Sequence, residues 1–307
     1  MRKQSVHTLI GNTPLIEVRY LPLPEGVRIF AKLEYLNPGG SIKDRLGINL
    51  IHHALQEKHI TANGTIIEPT AGNTGIGLAL AAVGTSISIC CIIPEGFSQE
   101  KVQLIRALGA KVIRTPKEQG IKGAIEYARA LSKTISDSYC PMQFENPVNP
   151  KTYYETLAPE IWSQLDGKVD IFVAGAGSGG TFTGMARYLK ERNESIRTVI
   201  VEPEGSILNG GEAGAHQTEG IGMEKIPAFL DLSDIDHIYT VSDKDAFRAV
   251  EQLARNEGLL VGSSSGAAFH AAFLEAKSAT KGTNIVTIFP DSSDRYLSKG
   301  IYKEEEV

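Results

Sequence analysis

The segment NPGGSIKDR, Asn37–Arg45, places a lysine just after a proline–glycine turn and a serine suited to cap a helix. Lys43 then falls in a first helical turn, where a cation opposes the positive end of the helix dipole. Dipole and desolvation both favour its neutral amine, and the neutral amine is the form that attacks an aldehyde to make an imine. Asp44 beside it is able to mask the charge, and on this loop alone a solvated surface lysine is an equal reading. In EPTAGNTG, Glu68–Gly75, the residues Thr70, Gly72, Asn73 and Thr74 bring backbone N–H groups and side-chain donors to a helix start, which suits a carboxylate or phosphate oxygen. A capped turn needs one such residue, and three favour a ligand.

AGAGSGGTFTG, Ala174–Gly184, follows an apolar run, and the N–H groups of Gly177, Ser178, Gly179, Gly180 and Thr181 can converge on a phosphate. Gly175, Gly177 and Gly180 also satisfy G-x-G-x-x-G, and Glu202 follows at the distance of a ribose-binding acid in a dinucleotide site. An NAD-dependent oxidoreductase therefore stays open from these residues, although that motif usually begins a cofactor domain and here leaves the first two loops without a role. GLLVGSSSGAA, Gly258–Ala268, sets Ser263, Ser264 and Ser265 before a helix. One serine is enough for capping, so a further hydroxyl is available to a ligand.

Such loops must be held by regular elements. Short β-branched runs at Ile29–Leu33, Thr65–Glu68, Ser86–Ile93, Lys111–Arg114, Val169–Ala174, Thr198–Glu202 and Ile285–Phe289 alternate with helical stretches. The helices are expected at Lys43–Lys58, Thr74–Val83, Gln99–Leu108, Lys122–Thr134, Pro150–Leu165, Thr181–Arg192, Asp243–Asn256 and Gly266–Ala276. In Gln99–Leu108, Val102, Leu104, Ile105 and Leu108 mark a buried face. Alternation of this kind implies βαβ units, parallel sheets and right-handed crossovers.

A chain of 307 residues suggests two domains at roughly 150 residues each, with a break near ENPVNP, Glu145–Pro150. A net charge of −5 leaves no basic footprint for nucleic acid. The uncharged stretch Gly75–Pro94 is interrupted by Gly84, Thr85, Ser86 and Ser88, and reads as a buried helix, a turn and a buried strand, not a membrane span. No signal peptide opens the chain, so the expected location is cytoplasmic. Cys90 and Cys91 read as buried apolar residues, the histidines show no metal-ligand spacing, and the terminal KEEEV reads as solvated.

Together, from LIGNTPL at Leu9–Leu15 to FPDSSDRYLS at Phe289–Ser298, these motifs resemble the cysteine synthase and cystathionine β-synthase family of pyridoxal-phosphate enzymes. The resemblance implies an α/β fold of type II, like the tryptophan synthase β chain. In it, two three-layer αβα domains hold pyridoxal 5'-phosphate in the cleft between them, usually in a homodimer. The implied domains are residues 1–145, carrying the substrate loop, and 146–307, carrying the phosphate loop, with part of 15–36 packing on the second. Lys43 matches the lysine that holds the cofactor as an imine and later acts as general base. Asn73 matches the partner of the ring hydroxyl, Gly177–Thr181 the phosphate loop, and Ser264 the partner of the pyridine nitrogen. Thr70, Ala71, Gly72, Thr74 and Gln143 match the groups that hold the substrate carboxylate. Ala71 stands where plain cysteine synthases usually carry serine, and EPEGSILNGG and TEGIGMEKIP look more like cystathionine β-synthases. The resemblance thus implies β-replacement joining O-acetylserine (or serine) to homocysteine, with Glu219 accepting the ammonium of homocysteine. Cysteine synthase, using sulfide, is the alternative.

Overall fold

The structure, a computed structural model, describes residues 5–70 and 72–302. Ala71 and the terminal KEEEV lie outside the described residues. The chain forms two compact units. One holds Asn37–Asn149 with the residues before Gly11, and the other holds Gly11–Leu36 with the chain from Pro150 onward. The division falls at 149/150, and the early segment given to the second unit runs over 11–36.

The first unit is built on four parallel strands, β3 (Thr65–Pro69), β4 (Ser88–Pro94), β5 (Lys111–Thr115) and β6 (Ser138–Tyr139), in the order β5-β4-β3-β6. Helices α1 (Lys43–Gln56), α2 (Asn73–Ala82), α3 (Gln99–Ala107) and α4 (Gly120–Ser132) surround the sheet. Both faces are covered, as the strand residues show. Cys90 packs with Ala124 and Ala128 of α4, while the next residue, Cys91, points the other way, its Sγ 2.9 Å from where a Cβ on Gly75 would stand. This alternation explains the continuously apolar run of β4, and both thiols are buried and unpaired by any disulfide. The uncharged stretch is thus α2, a turn and β4, and no helix among the described residues is long and apolar enough to cross a membrane. In α3 the buried apolar positions are Val102 and Ile105, and Leu104 is 43% exposed, so the expected apolar face is narrower than the sequence suggested.

The second unit has six strands in the order β1-β2-β10-β7-β8-β9, parallel except for the antiparallel β1–β2 pair. These are β1 (Leu15–Val18), β2 (Arg28–Leu33), β7 (Ile171–Gly175), β8 (Arg197–Pro203), β9 (His237–Val241) and β10 (Asn284–Phe289). β2 joins this sheet because it pairs with β10 over its whole length, Arg28↔Asn284 to Leu33↔Phe289. Four helices of this unit are α6 (Leu157–Gln164), α7 (Gly180–Arg192), α8 (Asp243–Gln252) and α9 (Ser263–Ser278). Val173 joins the core formed with α8 and α9, whereas Phe172 faces Phe182 of α7 at 6.0 Å between ring centres.

The expected helix Pro150–Leu165 is two helices, α5 (Val148–Glu155) and α6. Pro159 cannot follow Glu155 in one helix, because its ring collides with the carbonyl four residues earlier. Thr156 closes the break, its hydroxyl donating to Thr152 O at 2.7 Å. The expected helix Asp243–Asn256 ends at Gln252 and continues as a π turn, Leu253–Glu257. Strands β1, β6 and β9 were not expected: β6 is two residues long, and β1 and β9 are half-exposed sheet edges without a full apolar pattern.

Candidate active site

In parallel α/β sheets the loops after the strand C-termini are where ligands bind. In the first unit three such segments come together. Lys43 is the first residue of α1 and is half-buried. The residue at the cap position is Ile42, not Ser41 as expected, because the chain is already helical there and the Ile42 side chain has no capping oxygen. Ser41 nevertheless accepts the Lys43 N–H through Oγ at 3.3 Å. Asp44 is buried and accepts the Gly39 N–H, which tightens the turn before the lysine. Helix α1 lies against α2 where two glycines meet: a Cβ on Gly47 would stand 2.3 Å from Gly77 O, and one on Gly77 2.3 Å from Lys43 O. The backbone of Lys43 is thereby set one helical turn beyond Asn73, the first residue of α2.

The loop into α2 is equally confined. Thr70 Oγ1 accepts the Gly72 N–H at 3.0 Å, and Gly72 has φ +131°, open to glycine and strained for other residues. A Cβ there would also strike the stem of Lys101, at 2.5 Å from Cδ. Thr74 donates from Oγ1 to Gln143 Oε1 at 2.7 Å. Thr70, Thr74 and Gln143 are all buried. The structure thus brings Thr70, Gly72, Thr74 and Gln143 together although Gln143 is 69 residues from Thr74.

Glu68, at the end of β3, was not singled out from the sequence. Its carboxylate is fully buried and receives the N–H groups of Met142 and Gln143, each at 2.9 Å and one on each oxygen. Burial pushes its pKa up to about 8, against the downward pull of those two bonds. A charged residue closing an apolar strand before proline, as in TIIEP, was the available signal. The same signal occurs in TVIVEP at Glu202.

In the second unit Gly179 has φ +78° and caps α7, whose first residue is Gly180. The N–H groups of the first turn have no acceptor within a helix and point out of its end. A loop near Gly220 closes over them. A Cβ on Gly177 would stand 2.3 Å from Gly220 O, and Gly222 N–H donates to Ala176 O at 2.9 Å. On its other side, a Cβ on Gly220 would be 3.7 Å from Ser264 Oγ. Gly177 and Ser264 therefore flank one loop. The three serines lie in the first turn of α9, not before the helix as expected, because Gly262 takes the cap position in extended geometry. Ser263 Oγ accepts the Glu219 N–H at 3.1 Å. Glu219 is mostly buried and pairs with the Lys299 ammonium at 3.2 Å.

Glu202 is no ribose acceptor. Its carboxylate is 1% exposed and filled by the N–H groups of Leu208 and Asn209, at 2.9 and 3.0 Å, and by Thr240 Oγ1 at 3.1 Å. It anchors its own loop as Glu68 does in the first unit, and the acid of a dinucleotide fingerprint is absent in function among the described residues.

The sequence matches the family described as pyridoxal-phosphate dependent enzyme over residues 6–291. A Bacillus subtilis protein described as O-acetylserine dependent cystathionine beta-synthase is 60% identical over 295 residues, covering 96% of this chain and 96% of its own. A Helicobacter pylori protein described as cysteine synthase is 56% identical over 295 residues, 95% of this chain and 97% of its own. The crystal structure of O-acetylserine dependent cystathionine beta-synthase from Helicobacter pylori matches with a TM-score of 0.96 at 55% identity, covering 98% of this chain and 99% of that one.

Proposed function

Because the chain belongs to the pyridoxal-phosphate dependent enzyme family, we propose that it catalyses β-replacement, joining O-acetylserine to homocysteine to form cystathionine. The residues present fit the cofactor. A phosphate dianion suits the glycine-lined start of α7, where Gly177, Ser178, Gly179, Gly180 and Thr181 offer backbone donors. Nearby carboxylates are already engaged, Glu202 by its loop and Glu219 by Lys299. Ser264 is 3% exposed, in the first turn of α9 beside the Gly220 loop, and its hydroxyl suits a ring nitrogen. Lys43 is the amine that holds the cofactor, and Asn73 the donor to its ring hydroxyl.

When bound, the cofactor supplies an electron sink for the substrate Cα. Lys43 Nζ would be the group that takes the Cα proton as general base. Thr70, Gly72 and Thr74 with Gln143 hold the substrate carboxylate and so aim the Cα–H at that amine; Ala71 is assigned to the same loop. Ser264 would offer the ring nitrogen a neutral hydroxyl, and a neutral partner there would keep the sink weak and favour loss of the β-substituent over reactions needing a long-lived carbanion. Glu219, a carboxylate already paired with one ammonium, suits the ammonium of homocysteine.

The observation that carries this reading is the packing of the Lys43 backbone on α2, beside a loop preorganised for a carboxylate. The Bacillus subtilis likeness points to homocysteine as nucleophile, and the Helicobacter pylori relative described as cysteine synthase favours sulfide as a second reading. We place the enzyme in the cytoplasm as a homodimer acting in transsulfuration. The purified protein should be yellow, and O-acetylserine should alter its absorbance until homocysteine restores it. Lys43→Ala should abolish turnover and change the resting spectrum; full activity in that variant refutes the assignment. Faster turnover with sulfide than with homocysteine, at equal concentrations, selects the second reading.

A further inference from the structure

Gln143 is buried and is held at every polar group. Its N–H goes to Glu68 Oε1 at 2.9 Å, its carbonyl accepts from Asn149 Nδ2 at 2.8 Å, and its Oε1 accepts from Thr74 at 2.7 Å. The preceding residue, Met142, has φ +59°, a left-handed backbone that costs a side-chain-bearing residue of order 1 kcal/mol and persists only when neighbours impose it. Met142 O takes the N–H groups of Glu145 and Asn146 at 2.8 and 3.0 Å, and Glu68 holds the N–H side. Its two oxygens take the successive N–H groups of Met142 and Gln143, and both donors would otherwise be buried without an acceptor.

We propose that Glu68 is the positioning residue of the substrate-carboxylate loop: by clamping the Met142–Gln143 backbone it fixes Gln143 Oε1 on Thr74 Oγ1 and Nε2 on Pro69 O at 3.4 Å, and so aims the second Nε2 N–H at the amino acid's carboxylate. The inference rests on the reading that this loop binds O-acetylserine. It assigns Glu68 no contact with substrate or cofactor. Other titratable groups do not replace it. Cys91 on β4, and Tyr139 and Cys140 beyond β3, are pushed up by burial and by Glu68 itself, and are uncharged near neutrality.

The test uses Glu68→Gln, which keeps the shape but turns an amide N–H₂ toward one backbone N–H, and Glu68→Asp, which keeps the carboxyl group and shortens its reach. In the holoenzyme, O-acetylserine is titrated against the cofactor's absorbance, and KM is measured for both substrates. Glu68→Gln should raise the O-acetylserine KM about tenfold, the scale of leaving one buried N–H without its acceptor, with homocysteine KM and the resting spectrum unchanged. Glu68→Asp should fall between it and wild type. Hydrogen exchange at the Met142–Gln143 amides of the holoenzyme should speed up in both variants. Gln143→Ala should raise the same KM, and adding Glu68→Gln to it should have little further effect. If Glu68→Gln does not fold, Glu68→Asp decides: an unchanged O-acetylserine KM overturns the role. Equal rises in both KM values, or full additivity with Gln143→Ala, show a merely structural acid and overturn it too. A wild-type enzyme whose spectrum ignores O-acetylserine overturns the underlying reading and the proposal with it.

Discussion

Replacing Gly77 by alanine tests how Lys43, the lysine proposed to react, is held. The new Cβ would stand 2.3 Å from Lys43 O, 2.8 Å from Lys43 C and 3.2 Å from Asp44 N. Ordinary carbon–oxygen contact is roughly 1 Å longer than the first of these, and no rotamer relieves it because all three of these atoms are backbone. Alanine gains about 1 kcal/mol of helix propensity over glycine, while overpacking costs about 1–3 kcal/mol. The start of α1 must therefore move outward by on the order of 1 Å, and a displacement of that size at a reacting group costs about a hundredfold in rate. Gly75→Ala is the control on the same helix. Its Cβ would meet only side-chain atoms, Ile105 Cδ1 at 2.8 Å, Cys91 Sγ at 2.9 Å and Thr70 Cγ2 at 3.2 Å, which can shift without moving Lys43. Steady-state turnover with O-acetylserine and homocysteine, together with thermal unfolding of both variants, gives the comparison. Gly77→Ala should lose about a hundredfold in kcat, and Gly75→Ala less than tenfold. If Gly77→Ala keeps wild-type kcat and melting temperature, the argument that glycine contact sets the lysine is wrong.

Gly177→Ala should loosen the cofactor. Its Cβ would lie 2.3 Å from Gly220 O, so the covering loop must lift, and about 1–3 kcal/mol corresponds to about five- to 150-fold weaker retention after dialysis, read from the cofactor's absorbance. The pH dependence of stability should carry Glu68's signature. Its pKa rises from 4.5 to about 8 on folding, so between those values the folded state keeps a proton that the unfolded state has released. Stability is then greatest at the acid side of that window and falls as pH rises through it, by at most about 1.4 kcal/mol per pH unit. Glu68→Gln has no such proton, and melting temperatures between pH 5 and 8 should show a flatter profile for it than for wild type; parallel profiles would count against the burial argument.

Much of the candidate site could be read along the chain. A phosphate cradle is made of consecutive backbone donors, so AGAGSGGTFTG is a candidate from local sequence alone, and Lys43 stands out by its place in the first turn of a helix after a glycine turn. The alternation of apolar runs with amphipathic stretches specified parallel sheets for a similar reason: each element's signal is local and periodic. Tertiary structure decided what depends on partners far apart in sequence. Whether Glu68 is a solvated acid or a buried clamp depends on Met142 and Gln143 arriving above β3. Glu202 looked like a ribose acceptor by spacing, and only the return of Leu208 and Asn209 onto its carboxylate reassigns it as an anchor. Gly220 was given no role from the sequence, yet it separates Gly177 from Ser264. A short motif records which groups are available; burial and long-range hydrogen bonding determine which of them are already spent on holding the protein together.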